Sequence, residues 1–207
     1  SSSVQVDTVD SSTLLSNERF PTIMELPNGS INLAVWVIDD VKNVANVQIY
    51  KSTDDGVTWT LVSSRALPED VDVSGTFGAG AAGFELQPLT MAATANQVLL
   101  FAALNLHNTS LTFCSRVRQY GSTNGGLKFQ FVDESESGDG SHFYLPQIVE
   151  FNGVLIIGYI ASADSIKFTR VTNAFDSVFD QLGRIPADSL SGSFATGTSH
   201  RLSGGDG

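Results

Sequence analysis

The sequence predicts an all-β chain of repeated four-stranded antiparallel sheets, and three observations carry the prediction. First, three segments, residues 19–38, 86–104 and 145–160, share one plan: a proline (Pro21, Pro88, Pro146) opening a short strand, a polar turn, then a strongly apolar strand. Second, each apolar strand is followed by a further strand candidate, over residues 45–51, 111–119 and 165–172, and the first two run into short Gly-containing turns. Third, helical periodicity is hard to find, with at most a short turn over residues 176–182, while charged residues make up only 16% of the chain. Repeats somewhat longer than the ~40–50 residues of a typical blade suit a β-propeller with long loops.

Taken in order, residues 1–207 read as a single propeller domain or fragment. Blade 1 covers about residues 14–65, blade 2 about 85–133, blade 3 about 143–183, and residues 184–207 read as the start of the next blade. The apolar strands at 98–104 and 154–160 are nearly free of polar residues, as expected for strands buried on both faces between neighbouring sheets. A lone blade could not bury such faces, so stacking is required. Three blades and an edge do not close a ring. The remainder, in a six-bladed propeller, is expected to be missing, cleaved off or supplied by another chain, with a closed ring of four uneven blades as the alternative. The chain begins at Ser1 without Met or an apolar leader, and a piece of a longer protein is expected.

Composition removes several function classes. Eleven Lys and Arg face 22 Asp and Glu, a formal charge of −11 with a pI near 4.4. Neutralising phosphate needs basic stripes, and none is present, so nucleic acid is not an expected partner. Anionic membrane surfaces are disfavoured for the same reason, and no apolar run approaches the length of a membrane-spanning helix. Cys114 is the single cysteine, which removes an internal disulfide and a zinc cluster; it reads as a small buried apolar residue. The acid-rich segments 70–72 and 133–140 lack the spacing of a calcium loop, so no metal and no cofactor are expected. The N-x-S/T sites at Asn28 and Asn108 matter only in a eukaryotic secretory pathway.

The most specific motif is Ser52-Thr53-Asp54-Asp55-Gly56-Val57-Thr58-Trp59, with a degenerate copy at Ser122-Thr123-Asn124-Gly125-Gly126-Leu127-Lys128-Phe129. Ser52 and Asp54 can bond backbone N–H groups and close a turn, Gly56 can take a positive φ, and Trp59 can lock the loop onto its sheet. The pattern S-x-D-x-G-x-T-W resembles the Asp-box, or BNR repeat, of sialidase-like β-propellers. Ser52, Asp54, Gly56 and Trp59, with Ser122, Asn124, Gly126 and Phe129 in the copy, are therefore expected to be structural. In the resembling family these boxes lie on the face away from the ligand, so Asp54 is not expected to be a catalytic acid.

The resemblance covers roughly residues 14–183 as a blade pattern. Arg19-Phe20-Pro21 resembles the family's R-I-P motif, whose Arg grips a substrate carboxylate through two parallel bonds. Arg19 is thus a ligand-binding candidate. The family's second Arg and its acid fall on a loop that here reads Val37-Ile38-Asp39-Asp40-Val41-Lys42-Asn43, with no Arg. Asp39 and Asp40 are acids in the right region, against which stands a solvated acidic loop. His142 and Tyr144, beside Phe143, could form a sugar-stacking platform or simply begin the core of the third blade. Glu85, Glu134 and Glu136 lie where loop carboxylates could serve a glycosidase.

No catalytic residue is assigned. The expected function is a non-catalytic propeller module, carbohydrate-binding or structural, in a larger extracellular or virion-surface protein such as a phage tail or spike, with glycans or other subunits as partners. One alternative is a sialidase- or exo-arabinanase-like exo-glycosidase whose remaining catalytic residues lie outside the chain. Another is an assembly module that pairs through open blade edges.

Overall fold

The computed structural model of the protein describes residues 16–39, 41–72, 81–86, 88–108, 113–136, 143–161 and 165–179. Thirteen strands are described and no helix is found among these residues. The first sheet runs β1 (Ser16–Glu25), β2 (Ile31–Asp39), β3 (Val44–Ser52), β4 (Thr60–Ser63), with β5 (Val71–Asp72) also pairing β3. The second comprises β6 (Ala81–Leu86) and β7 (Thr90–Ala93), both on β8 (Val98–Asn108), then β9 (Phe113–Ser122) and β10 (Gln130–Glu136). The third runs β11 (Phe143–Phe151), β12 (Val154–Ala161), β13 (Ser165–Val171). All pairings are antiparallel. The two larger sheets have four strand positions each, because β4/β5 and β6/β7 are broken halves of one position. β7 lies against both β1 and β11, so the first strands of the three sheets gather together.

The prolines do not open these first strands, as their sequence position implied. Pro21 and Pro146 lie inside β1 and β11, and Pro88 lies between β6 and β7. Proline has no N–H to give to a ladder, so pairing must step around it. The ladder does so through register shifts between Arg19 and Thr22 and between Tyr144 and Gln147, and in the second sheet through a complete break.

The apolar runs are explained by two cores, one on each side of the second sheet. Val98, Leu100 and Ala102 of β8 pack with Trp36, Val47 and Ile49 of the first sheet. Leu99, one residue out of phase, packs with Ile148, Leu155 and Ile157 of the third. Met91 and Ala93 of β7 face the first core and Ala92 the second. Alternating residues of the first half of β8 thus fill two different cores, which keeps that stretch apolar.

The turn after β3 forms as its residues require. Ser52 Oγ donates to Asp54 Oδ1 (2.8 Å) and accepts from the Gly56 N–H (2.9 Å). Asp54 accepts from the N–H (2.8 Å) and hydroxyl (2.6 Å) of Thr58. Asp55 and Gly56 are both left-handed, with φ of 56° and 82°. Trp59 Nε1 donates back to the Gly56 carbonyl at 3.0 Å. The copy after β9 keeps the core of this plan: Ser122 Oγ donates to Asn124 Oδ1 (2.8 Å), and Asn124 Oδ1 accepts from the Lys128 N–H (3.1 Å). An amide oxygen thus replaces one carboxylate oxygen.

A third turn of this shape follows β13 and was not read from the sequence. Asn173 Oδ1 accepts from the Phe175 N–H (3.1 Å), and the Asp176 N–H donates to the Asn173 carbonyl (3.0 Å), as that of Val57 does to Asp54 (3.1 Å). Val171 and Phe175 stand where the other turns have Ser and Gly, which hid it.

The exposed Asp54 carboxylate is held below the usual range, first by the Thr58 hydroxyl and then by the Thr58 N–H. A depressed folded-state pKa adds stability above the ordinary carboxylate value, and the gain is lost as pH falls through the lowered one. Asp54→Asn should therefore flatten the loss of Tm below about pH 4 relative to the parent chain, as thermal melts across that range would record. Parallel curves would mean that the carboxylate charge plays no part in the turn.

Candidate functional site

The three box-like turns lie at one end of the sheets and the ligand-binding candidates at the other. Ser52 pairs with Ile31 at the turn end, whereas Asp39 pairs with Val44 and Arg19 with Trp36 toward the opposite end. Tyr144 pairs with Ile160 on β11, just before its register shift, so it holds the same ladder position as Arg19 on β1. The third sequence position of this kind is Leu86, at the end of β6, which is buried in the core. Arg19 and Tyr144 thus sit at matching bulges on the first strands of the first and third sheets, with β7 of the second sheet between them. Asp40 and His142 lie outside the described residues, as do residues 184–207.

Phe20, between Arg19 and Pro21, has φ of 53°. A bulky aromatic residue in the left-handed region is strained, and the position before a proline is itself restricted. Such strain persists only where surrounding structure enforces it, and it gathers at ligand sites. Phe20 packs half-buried against the first core, which supplies the enforcement.

Asp39 is occupied by its own hairpin. Its carboxylate accepts from the N–H of Val41 (3.2 Å) and of Lys42 (3.0 Å) and from Lys42 Nζ (2.7 Å). The Lys42 ammonium bond is the largest cause of its lowered pKa. Asp39 therefore caps the β2–β3 hairpin, an Asx-type role. Beside it runs an open groove of about 310 Å³, lined by Asp39, Lys42, Asn46, Ser64, Arg65 and Asp70 among others. Arg65 and Asp70 are paired at 2.5 Å across it. Asn46 holds the groove floor, donating to Asp70 Oδ1 (2.8 Å) and accepting from the Leu67 N–H (3.0 Å). No motif marked this groove, because its residues come from two separated loops.

The acid-rich run after residue 132 carries the loop carboxylates Glu134 and Glu136 expected above. Its first part is instead strand: β10 extends to Glu136, with Glu134 opposite Arg118 and Glu136 opposite Arg116. Opposite charges facing across a strand pair stabilise the ladder, and the Glu134 carboxylate bonds Arg118 directly. Glu85 lies on β6, paired with Asn105. The Tyr120 hydroxyl is buried, with no hydrogen-bond partner among the described residues. Burial is the main cause of its raised pKa, against the opposing effect of nearby Arg118. Among the described residues no cluster of three His, Cys, Asp or Glu is placed to hold a metal ion.

Comparison with solved structures supplies the fold family. A family 117 glycoside hydrolase from the marine bacterium Zobellia galactanivorans superposes with a TM-score of 0.53 at 11% identity, covering 84% of this chain and 57% of its own. The α-L-arabinanase of Penicillium chrysogenum (TM-score 0.47, 16% identity) covers 77% of this chain and 47% of its own. The Trypanosoma rangeli sialidase (TM-score 0.36, 12% identity) covers 77% and 37%. These neighbours are five- to six-bladed β-propeller glycosidases of the sialidase-like superfamily. The chain has the antiparallel sheet architecture of a β-propeller and spans about half the length of these proteins. No protein-family model and no curated protein matches the sequence.

Proposed function

We propose that the chain is a carbohydrate-binding propeller module without hydrolytic activity of its own, part of a larger extracellular or virion-surface protein. The turns after β3 and β9 act as Asp-boxes, which staple the sheets and leave the opposite end for ligand. The observation that carries the non-catalytic reading is the state of the acids toward that end. Asp39, Asp70 and Glu134 are each tied to a cation: Lys42, Arg65 and Arg118. A glycosidase needs two carboxyl groups about 5–10 Å apart, one of them kept protonated. Asp39 is instead held below the usual carboxylate range by the Lys42 ammonium, and Asp70 and Glu134 are engaged by guanidinium groups. Arg19, at its strained bulge, is the residue proposed to grip an acidic sugar, with Tyr144 at the matching bulge of the third sheet.

A second reading is an exo-glycosidase completed by residues outside this chain. It is favoured by the strain at Phe20, and the fold shared with the family 117 hydrolase is compatible with it. One experiment separates the two: a glycan-array screen of the chain and of Arg19→Ala, beside hydrolysis assays with sialyl and arabinofuranosyl reporters. The module reading expects selective binding of carboxylated glycans, lost in Arg19→Ala, and no turnover. Turnover by the parent chain would replace it with the enzyme reading. A folded sample that binds no glycan would leave a scaffold.

A further inference from the structure

The two internal sheet contacts are made by one device. In each, the turn of one sheet docks on the sheet before it and offers the same two backbone groups. The Gly125 carbonyl accepts from Asn32 Nδ2 (2.7 Å), and the Phe129 N–H donates to the Ala66 carbonyl (2.9 Å). In the next contact, the equivalent Ala174 carbonyl accepts from Gln119 Nε2 (3.1 Å), and the Val178 N–H donates to Gln119 Oε1 (3.0 Å). Gly121, the residue just before the second turn, faces the turn of the third sheet. At Gly121, a Cβ would meet the Phe175 ring at 2.9 Å and the Ala174 carbonyl oxygen at 3.0 Å. A large Phe175 on one side thus requires glycine on the other.

The first turn has this device, and nothing among the described residues docks on it. Among the described residues, no partner is found for the Asp55 carbonyl or the Trp59 N–H, the equivalents of those docked groups. Val57 is 63% exposed and, on the same side, the cross-strand row Ile23, Leu33, Tyr50, Leu61 ends in two exposed residues, at 50% and 45%. The outward face of the third sheet is the counterpart. It carries Val149, Ile156, Phe168 and Phe151, the last 50% exposed. Arg170, exposed on that face, stands where Gly121 stands in the second sheet, one residue before the turn.

We propose that a second copy of this chain docks head to tail here, the third sheet of one copy receiving the first turn of the other. The fit has two parts. Gly56, at the position of Phe175, leaves room for the long Arg170 side chain, reversing the small–large pairing of Gly121 and Phe175. Arg170 also brings a cation to a turn that exposes Asp54 and Asp55, and can donate to the Asp55 carbonyl. Because the contact joins different faces, repeating it closes a ring or runs on as a polymer.

The test is sedimentation velocity of the full chain up to about 100 μM, with Arg170→Glu, Asp55→Lys and Val57→Asp, each checked by circular dichroism for native fold. The expected result is a dimer or larger species whose dissociation constant rises about tenfold or more in each variant. An equimolar mixture of Arg170→Glu and Asp55→Lys should restore association, because opposite charges then meet across the mixed contacts. A chain that stays monomeric throughout overturns the proposal. So does association indifferent to all three changes, or a mixture no tighter than its components.

Discussion

Trp36→Ala should remove about 3–5 kcal/mol of unfolding free energy, the largest single-site loss expected in this chain. Trp36 is 0% exposed, lies opposite Val47 on β3, and fills the core between the first and second sheets. Its removal leaves a cavity bounded by two sheets, which cannot collapse onto it without breaking their ladders. For a chain of this size each kcal/mol moves Tm by roughly 2–4 °C, so a drop of about 6 °C or more is expected by calorimetry. The chain has one other tryptophan, the half-buried Trp59, so native emission should also shift to the red. A variant that melts within a degree or two of the parent would show that the two sheets do not depend on this contact.

Gln119→Leu should cost about 2–5 kcal/mol, though it enlarges no cavity. The Gln119 side chain is fully buried and meets three backbone groups of the third turn: the carbonyls of Ala174 and Asp176 and the N–H of Val178. Leucine has similar bulk but no polar atom. Ala174 and Val178 are themselves buried, so their backbone groups would lose their partner without gaining water. Amide exchange gives the sharper readout: the Val178 N–H should lose protection while β2 and β3 keep theirs. Unchanged exchange at Val178 would mean that the Gln119 bonds do not hold the third turn in place.

The strands were legible because their pattern is imposed locally. Residues 31–38, 98–104 and 154–160 are too apolar and too short to be anything but buried strands, and the Ser–Asp–Gly turn chemistry is nearly self-contained. The errors came where a distant partner decides the outcome. Asp133–Glu136 reads as loop until Arg116 and Arg118 are placed opposite it. The third turn was invisible because its stability comes from Gln97 and Gln119 on another sheet. Gln97 Nε2 donates to Asn173 (3.0 Å), and Gln97 Oε1 accepts from the Ala174 N–H (2.7 Å). Of the candidate site, Arg19 and Tyr144 were named from the sequence, but their equivalence across two strands was not. Two different prolines create it, through bulges that only strand pairing defines.

The sequence by itself determined the all-β class, the repeat, the positions of most strands and the first two turns, because period-two patterning and short-range hydrogen bonding act within a few residues. Only the tertiary structure decided that Asp39 caps its own hairpin, that alternate residues of β8 serve two cores, and that the second and third turns each clasp the sheet before them. Those outcomes depend on groups tens of residues apart meeting in space, and no local pattern encodes which amide will meet which carbonyl.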